Sequence, residues 1–538
     1  MGTASGMAVV GALLLLGAVS NKLSSKANMP ILVAFLAIGM TAKYFGFVPV
    51  GMSSSSINML GTIAMCFILY SGGLNTRFSS VSDVLCPAGI LASCGVVITA
   101  MVMGLVCYFL GRTLGPKVSL AWCLMLGALV SSTDAAAVMA VLRNRNTGLK
   151  GRLQPLLEVE SGSNDPSAYL LTIILLDIVR GCATPSFWEV AVSLVGGVAW
   201  GLSMGALAGL AFGIAGQWIY TSSAKHRLLE YEGLYFVIGI AVVLITFGVT
   251  EKYLQANGLM AVYVCGMTMG NIRFNFKKAL TQFNDGVSWL MQVSLFTALG
   301  FLVSPGRLAE PMEMLTGLVL SAILLFVARP LAVWVCLACS RFSARERIFI
   351  SWVGLRGAAP IMLATFPLAA GVPLAAEIFN KVFFMVLASI VIQGSTLMPL
   401  ARLLGLACPA DERERAPLEL EITESGGDSE MFEFEVPPGA PFVGGTVAEL
   451  GLPAGALILL MRRKGHYFSP RGNTVIESGD GMLIMGAGKL MHDLSERFFP
   501  EADYRPVRTW NEIVHSLPAL PHDARSAVSK VLGRGKRR

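Results

Sequence analysis

The chain of 538 residues is 54% hydrophobic and only 14% charged, with a mean hydropathy of +0.66. Soluble globular proteins carry about 25% charged residues, so the composition excludes an ordinary soluble domain and indicates a polytopic membrane protein. The formal net charge of +7 clusters in short loops between apolar runs, a pattern of membrane topology rather than of nucleic-acid binding.

A membrane-crossing helix needs about 20 apolar residues. Runs of that kind lie near 6–21, 29–47, 56–74, 86–111, 118–142, 153–179, 187–220, 230–250, 257–272, 279–303, 312–339, 347–370 and 377–405, about thirteen in all. The first lacks a basic stretch ahead of Val9–Ala18 and reads as a retained helix, not a cleaved signal peptide. Every second loop is rich in basic residues, for example Arg143, Arg145, Lys150 and Arg152, or Arg341, Arg345 and Arg347. The intervening loops hold only residues such as Lys43, Arg180, Lys252 and Arg307. The positive-inside bias therefore places the N-terminus outside and the C-terminus in the cytoplasm. The ten cysteines form no disulfide framework; Cys336 and Cys339 make a CxxC inside an apolar helix and read as packing residues.

After Cys408-Pro409 the composition turns polar. The expected division is a transmembrane domain over 1–408, a linker over 409–417, a cytoplasmic α+β domain over 418–500 and a basic tail over 501–538. The alternating runs LELEI, MFEFEV, ALILLM and GMLIMG, separated by turn signals such as Gly479-Asp480-Gly481, predict β-strands. Lys489–Phe498 reads as a closing helix, and the acidic residues Glu419, Glu421, Glu424, Asp428 and Glu430 as a solvated connector.

Two interruptions occupy corresponding places in the two halves of the membrane part. Val130-Ser131-Ser132-Thr133-Asp134 and Val353-Gly354-Leu355-Arg356-Gly357 each break an apolar helix with small and polar residues. Paired breaks of this kind point to an inverted-repeat transporter whose site lies at discontinuous helices. Between them in sequence runs Leu157–Pro166, LEVESGSNDP, inside the sixth span. Ionisable groups at such depth cost at least ~2.5–3.5 kcal/mol each and are functional hypotheses by default.

On that helix Ser161 and Asp165 are four apart and share a face with Glu158, while Glu160 and Asn164 share the adjacent face. A carboxylate beside hydroxyl and amide oxygens suits a dehydrated alkali cation. None of the five histidines falls within a predicted span, so an intramembrane proton carrier must be a carboxylate, and Asp165 is the expected one. Arg356 needs a buried carboxylate partner, for which Glu160 is the leading candidate. Asp134 and Thr133 could donate further oxygens or satisfy half-helix ends. Glu158 stays unassigned, Arg329 has no evident partner, and Asp177 and Asp285 read as interfacial.

ESGSNDP (Glu160–Pro166), STDAAAV (Ser132–Val138) and GLRGAAP (Gly354–Pro360) together resemble the three signature regions of bacterial cation:proton antiporters, in the potassium/proton branch of the NhaP type. The resemblance implies an all-α membrane fold of about thirteen helices with inverted repeats, a homodimer, and a six-helix core that moves like an elevator. It further implies Asp165 as the shared proton and cation site, Thr133 and Ser161 as ligands, Asn164 and Asp134 as braces, and Glu160 paired with Arg356. An Asn-Asp pair in place of two aspartates implies electroneutral exchange. The third span departs from the pattern, reading Leu69-Tyr70-Ser71-Gly72-Gly73-Leu74-Asn75 without an acidic residue.

The stretch from Pro441 to Gly486 resembles the TrkA C-terminal domain of potassium-conductance regulators. That implies regulation by a nucleotide or other small molecule and shifts the preference towards potassium. The expected function is exchange of cytoplasmic potassium, or sodium, for protons across a bacterial inner membrane. No enzymatic activity, resident cofactor or nucleic-acid partner is expected beside the transported ions. A sodium/proton antiporter is the alternative; a ligand-gated potassium channel is disfavoured because no TVGYG-like filter is present.

Overall fold

The computed structural model describes residues 11–12, 15, 31–46, 53–114, 119–144, 147–181, 187–225, 233–272, 274, 277–303, 306, 310–409, 429–436, 440, 442–452, 456–463 and 466–487. Two compact units divide the chain, Met1–Ala410 and Asp411–Arg538. Most of the first predicted span, the LELEI run, the closing helix and the basic tail lie outside the described residues.

The first unit is helical. Besides a single turn at Phe78–Val81, its described helices are α1 (Ile31–Tyr44), α2 (Ser54–Asn75), α3 (85–114), α4 (Leu120–Leu129), α5 (Ala135–Asn144), α6 (Leu153–Arg180), α7 (Phe187–Lys225), α8 (Gly233–Lys252), α9 (Gly258–Asn271), α10 (Lys277–Leu302), α11 (Pro311–Cys336), α12 (Ala344–Trp352), α13 (Ala358–Ala369) and α14 (Ala375–Leu403). Among the described residues seven helices, α2, α3, α7, α8, α10, α11 and α14, are long and apolar enough to cross a membrane. The chain is thus a multi-pass membrane protein.

Helix starts follow capping chemistry that the sequence spells out. Ser119 accepts the Trp122 amide at the head of α4, and Asn257 accepts the Met260 amide at the head of α9. Ser343 and Glu346 form a reciprocal capping box on α12. Close packing relies on small residues, since apolar helices gain little from burial against one another in lipid. A Cβ on Gly73 would run into the Tyr263 carbonyl, and one on Gly266 into that of Tyr70, so α2 and α9 touch backbone to backbone.

Two long helices carry a widened π turn, Leu91–Gly95 in α3 and Leu324–Ala328 in α11. The second ends immediately before the buried Arg329. Such turns shift the side-chain register by one residue and recur at functional sites.

Sequence periodicity did not indicate a short strand pair at one edge of this unit. Strand β1 (Thr147–Leu149), between α5 and α6, pairs antiparallel with β2 (Ala407–Pro409), which follows α14, with Gly148 opposite Cys408. Three-residue strands are too short to show a period.

The second unit contains β3 (Ser429–Glu435), β4 (Leu457–Arg463), β5 (His466–Phe468) and β6 (Gly481–Ala487), all antiparallel in the order β3-β6-β4-β5. Val436, Ile458, Met461, Ile476, Met482 and Ile484 form its buried core.

Candidate cation and proton site

Helices α4 and α5 are the halves of one discontinuous helix, as are α12 and α13. The two breaks cross. The Asp134 amide donates to the Leu355 carbonyl at 2.7 Å, joining the unwound segments directly. Breaking a helix exposes carbonyls at one new end and amides at the other, carrying about half a negative and half a positive charge. The side chains at the crossing answer both.

Arg356, 1% exposed, lays its Nη1 between the Ser131 and Ser132 carbonyls, 2.6 Å from each. It thereby covers the negative end of α4. Asp134 Oδ1 accepts the Ala137 amide at 3.2 Å and so caps α5. The Asp134 carboxylate also packs against Gly357, where any Cβ would collide with it, at the positive start of α13. Gly354 is required for a parallel reason, because a Cβ there would press on Arg329 Nε. The two glycines of GLRGAAP are thus dictated by the charged side chains lying over them.

Helix α6 passes beside the crossing. Asn164 donates to Thr133 Oγ1 at 2.5 Å. Ser161 donates to the Thr133 carbonyl and accepts the Ala135 amide, both at 3.0 Å. Ser132 donates a short hydrogen bond to Asp165 Oδ1. Among the described residues no other group donates to Asp165, and the buried Asn164 Oδ1 has no hydrogen-bond partner. A buried neutral oxygen without a partner, Asn164 Oδ1, is thus next in sequence to the Asp165 carboxylate at the crossing.

Asp165, Asn164, Ser161, Thr133 and Asp134 are therefore brought together. Ser132 was not singled out from sequence, although it stands beside Thr133 in the same break. The expected ion pair between Glu160 and Arg356 does not form. Glu160 Oε1 instead lies 2.6 Å from Arg329 Nη1, with the side chains 1% and 3% exposed. The π turn in α11 and the glycine at 354 make room for Arg329, whereas Arg356 is occupied by the carbonyls of the break. Glu158, unassigned from sequence, accepts from Gln154 at 3.1 Å. Asp285, expected to be merely interfacial, accepts from Ser71 at 2.6 Å and Asn75 at 3.0 Å. The end of α2, which has no carboxylate of its own, receives one from α10.

Residues 10–403 match the family described as sodium/hydrogen exchanger, transmembrane, and residues 431–498 match the TrkA-C domain. A K(+)/H(+) antiporter NhaP from Alkalimonas amylolytica is 34% identical over 480 residues, covering 89% of this chain and 80% of the relative. A K(+)/H(+) antiporter NhaP2 from Shewanella baltica is 34% identical over 514 residues, 93% of this chain and 84% of the relative. A Na(+)/H(+) antiporter NhaP from Pseudomonas aeruginosa is 26% identical over 369 residues, 65% of this chain and 82% of the relative. Among solved structures, the sodium proton antiporter MjNhaP1 of Methanocaldococcus jannaschii shares the fold, with a TM-score of 0.63 and 22% identity over 73% of this chain and 100% of that one. The crossed breaks carrying Asp134 and Arg356 over Asp165 therefore sit in a chain that belongs to the sodium/hydrogen exchanger family of monovalent cation/proton antiporters, with a TrkA-C domain after the membrane part.

Proposed function

We propose that the protein exchanges cytoplasmic potassium, with sodium as the alternative, for external protons, one for one, at Asp165. The observation that carries this reading is the Asp165 carboxylate, held on one oxygen by Ser132, next in sequence to the buried Asn164 Oδ1, which has no partner, at the crossing. A buried polar atom left unpaired costs about 1–3 kcal/mol, and a monovalent cation offsets that cost because it prefers oxygen ligands. Thr133 and Ser161 complete the surround, with Ser132 holding the carboxylate in place. A proton and a cation compete for one carboxylate, so each arriving ion displaces the other. Asn164 stays neutral throughout, which keeps the cycle electroneutral. The names of the relatives favour potassium.

The alternating step in this reading is an elevator movement of the helices around the crossing, in a homodimer of thirteen-helix protomers in the inner membrane, N-terminus outside. Paired breaks and paired π turns support an inverted repeat. Contacts between α6 and the α8–α9 corner are the ones such a movement would remake: Asn257 Nδ2 to the Pro166 carbonyl at 2.6 Å, and the Tyr169 hydroxyl with Glu251. The TrkA-C domain is assigned regulation by a small ligand.

In proteoliposomes carrying a pH gradient, the wild type dissipates it on addition of potassium, and Asp165→Asn does not while keeping the wild-type elution volume. Undiminished exchange in Asp165→Asn overturns the assignment. Adding sodium or lithium instead decides the cation preference.

A further inference from the structure

Helices α11, α12 and α14 enclose a groove of about 600 Å³ remote from the crossing, with walls that include Phe326, Trp334, Ile348, Trp352, Leu400 and Leu403. Phe326, Trp334, Ile348 and Leu403 are exposed, so the groove opens on the outer surface of the helices. In a membrane that surface meets lipid. Its walls are almost wholly apolar; the indole Nε1 of Trp352 is satisfied inside it by Thr396 Oγ1 at 2.9 Å. The groove thus has the shape and polarity for a hydrocarbon chain.

One end of the groove is cationic. Arg347, next to Ile348, stacks on the Trp334 ring at 5.6 Å and gives hydrogen bonds to the Ala338 and Ser340 carbonyls, while its Nε is buried without a partner. Arg402 lies beside Leu403, and Arg341 and Arg345 stand exposed on the same loop and helix start as Arg347. None of these four arginines forms an ion pair with a carboxylate among the described residues. A held guanidinium next in sequence to a wall residue of an apolar slot, with exposed Arg402 likewise next to Leu403 and exposed Arg341 and Arg345 on the loop and helix start before Arg347, is complementary to a phosphodiester headgroup with its chain in the slot. Basic pockets between transmembrane helices bind anionic headgroups in this manner.

We propose that this groove is a specific site for an anionic phospholipid, with one acyl chain along Phe326, Trp334 and Trp352 and the phosphate at Arg347 and Arg402. In the orientation proposed above this is the cytoplasmic leaflet. The site borders the transport machinery: Trp352 is the last residue of α12, its carbonyl accepts from Gln393 at 2.6 Å, and the break bearing Arg356 follows at once. The bound lipid therefore wedges α12 between α11 and α14.

The test is native mass spectrometry of the delipidated full-length protein titrated with phosphatidylglycerol or phosphatidylethanolamine. The expected result is preferential retention of phosphatidylglycerol. Retention falls about tenfold in the double variant Arg347→Gln/Arg402→Gln. It falls also in Ile348→Trp, which keeps the charges and fills the slot. Equal retention of both lipids by the wild type, or undiminished phosphatidylglycerol retention in both variants, overturns the proposal. The readout involves no transport, so it stands or falls separately from the assignment of Asp165.

Discussion

Arg329 and Arg356 divide labour that sequence alone assigned to one of them. Both are buried arginines on neighbouring elements, and spacing along the chain cannot say which meets Glu160. The structure pairs Glu160 with Arg329 at 2.6 Å and commits Arg356 to backbone carbonyls. Removing one member of a buried pair leaves an uncompensated charge and costs about 3–5 kcal/mol. Arg329→Met alone should therefore lower the unfolding temperature in detergent sharply, and Glu160→Gln/Arg329→Met should recover most of the loss. Glu160→Gln combined with Arg356→Met should show no such recovery; if it does, the pairing is wrong. The polar cluster was legible because Asp165, Asn164 and Ser161 are polar residues in an otherwise apolar helix and Thr133 is one in the break between α4 and α5. Ser132 was not, since a lone serine in a membrane helix usually bonds to its own backbone, as Ser131 does to Ala128.

At the scale of elements, the four-residue turn Glu477–Asp480, which leads into the last strand β6 of the second unit, shows how a turn is held. Asp480, 1% exposed, takes both oxygens' worth of hydrogen bonds from Arg463, at 2.8 and 2.7 Å, and a third from the Glu477 amide at 2.9 Å, with Gly479 at φ +84° between them. Burial pushes its carboxyl up, but the Arg463 and Glu477 donors outweigh burial and hold it below the usual carboxylate range. The unfolded chain therefore takes up the proton first as pH falls. The contribution is complete above the unfolded value of about 3.9 and declines as pH drops from there through the lower folded value. In full-length protein, protease sensitivity of residues 429–487 should rise over that window. Asp480→Asn should be less stable by about 2 kcal/mol at neutral pH and should lose that part of the acid dependence. The turn was visible in sequence as Gly479-Asp480-Gly481; its clamp was not, because Arg463 lies 17 residues away.

For the molecule as a whole, the β1–β2 pair supplies a physical link between the transport unit and the chain that leaves it. β1 lies between α5, half of the broken helix, and α6, which carries Asp165; β2 is the last described segment before the TrkA-C unit. Gly148 and Cys408 stand opposite each other in the register, a placement suited to a disulfide. Gly148→Cys should therefore lose two free thiols on mild oxidation, an effect absent in Gly148→Cys/Cys408→Ser, and the oxidised protein should exchange ions more slowly. No loss of thiols would refute the register.

Sequence by itself determined the class of protein, the two breaks, the polar residues on α6 and the strand-rich TrkA-C unit. Each follows from local chemistry: apolar runs long enough for a bilayer, polar residues where lipid forbids them, and turn residues between alternating runs. Only the tertiary structure decided which charges meet, that Ser132 holds Asp165, that α10 lends a carboxylate to α2, and that an apolar slot ends in uncompensated arginines. These depend on residues far apart in the chain being brought within about 3 Å by helix packing, and distance along a sequence carries no record of distance in space.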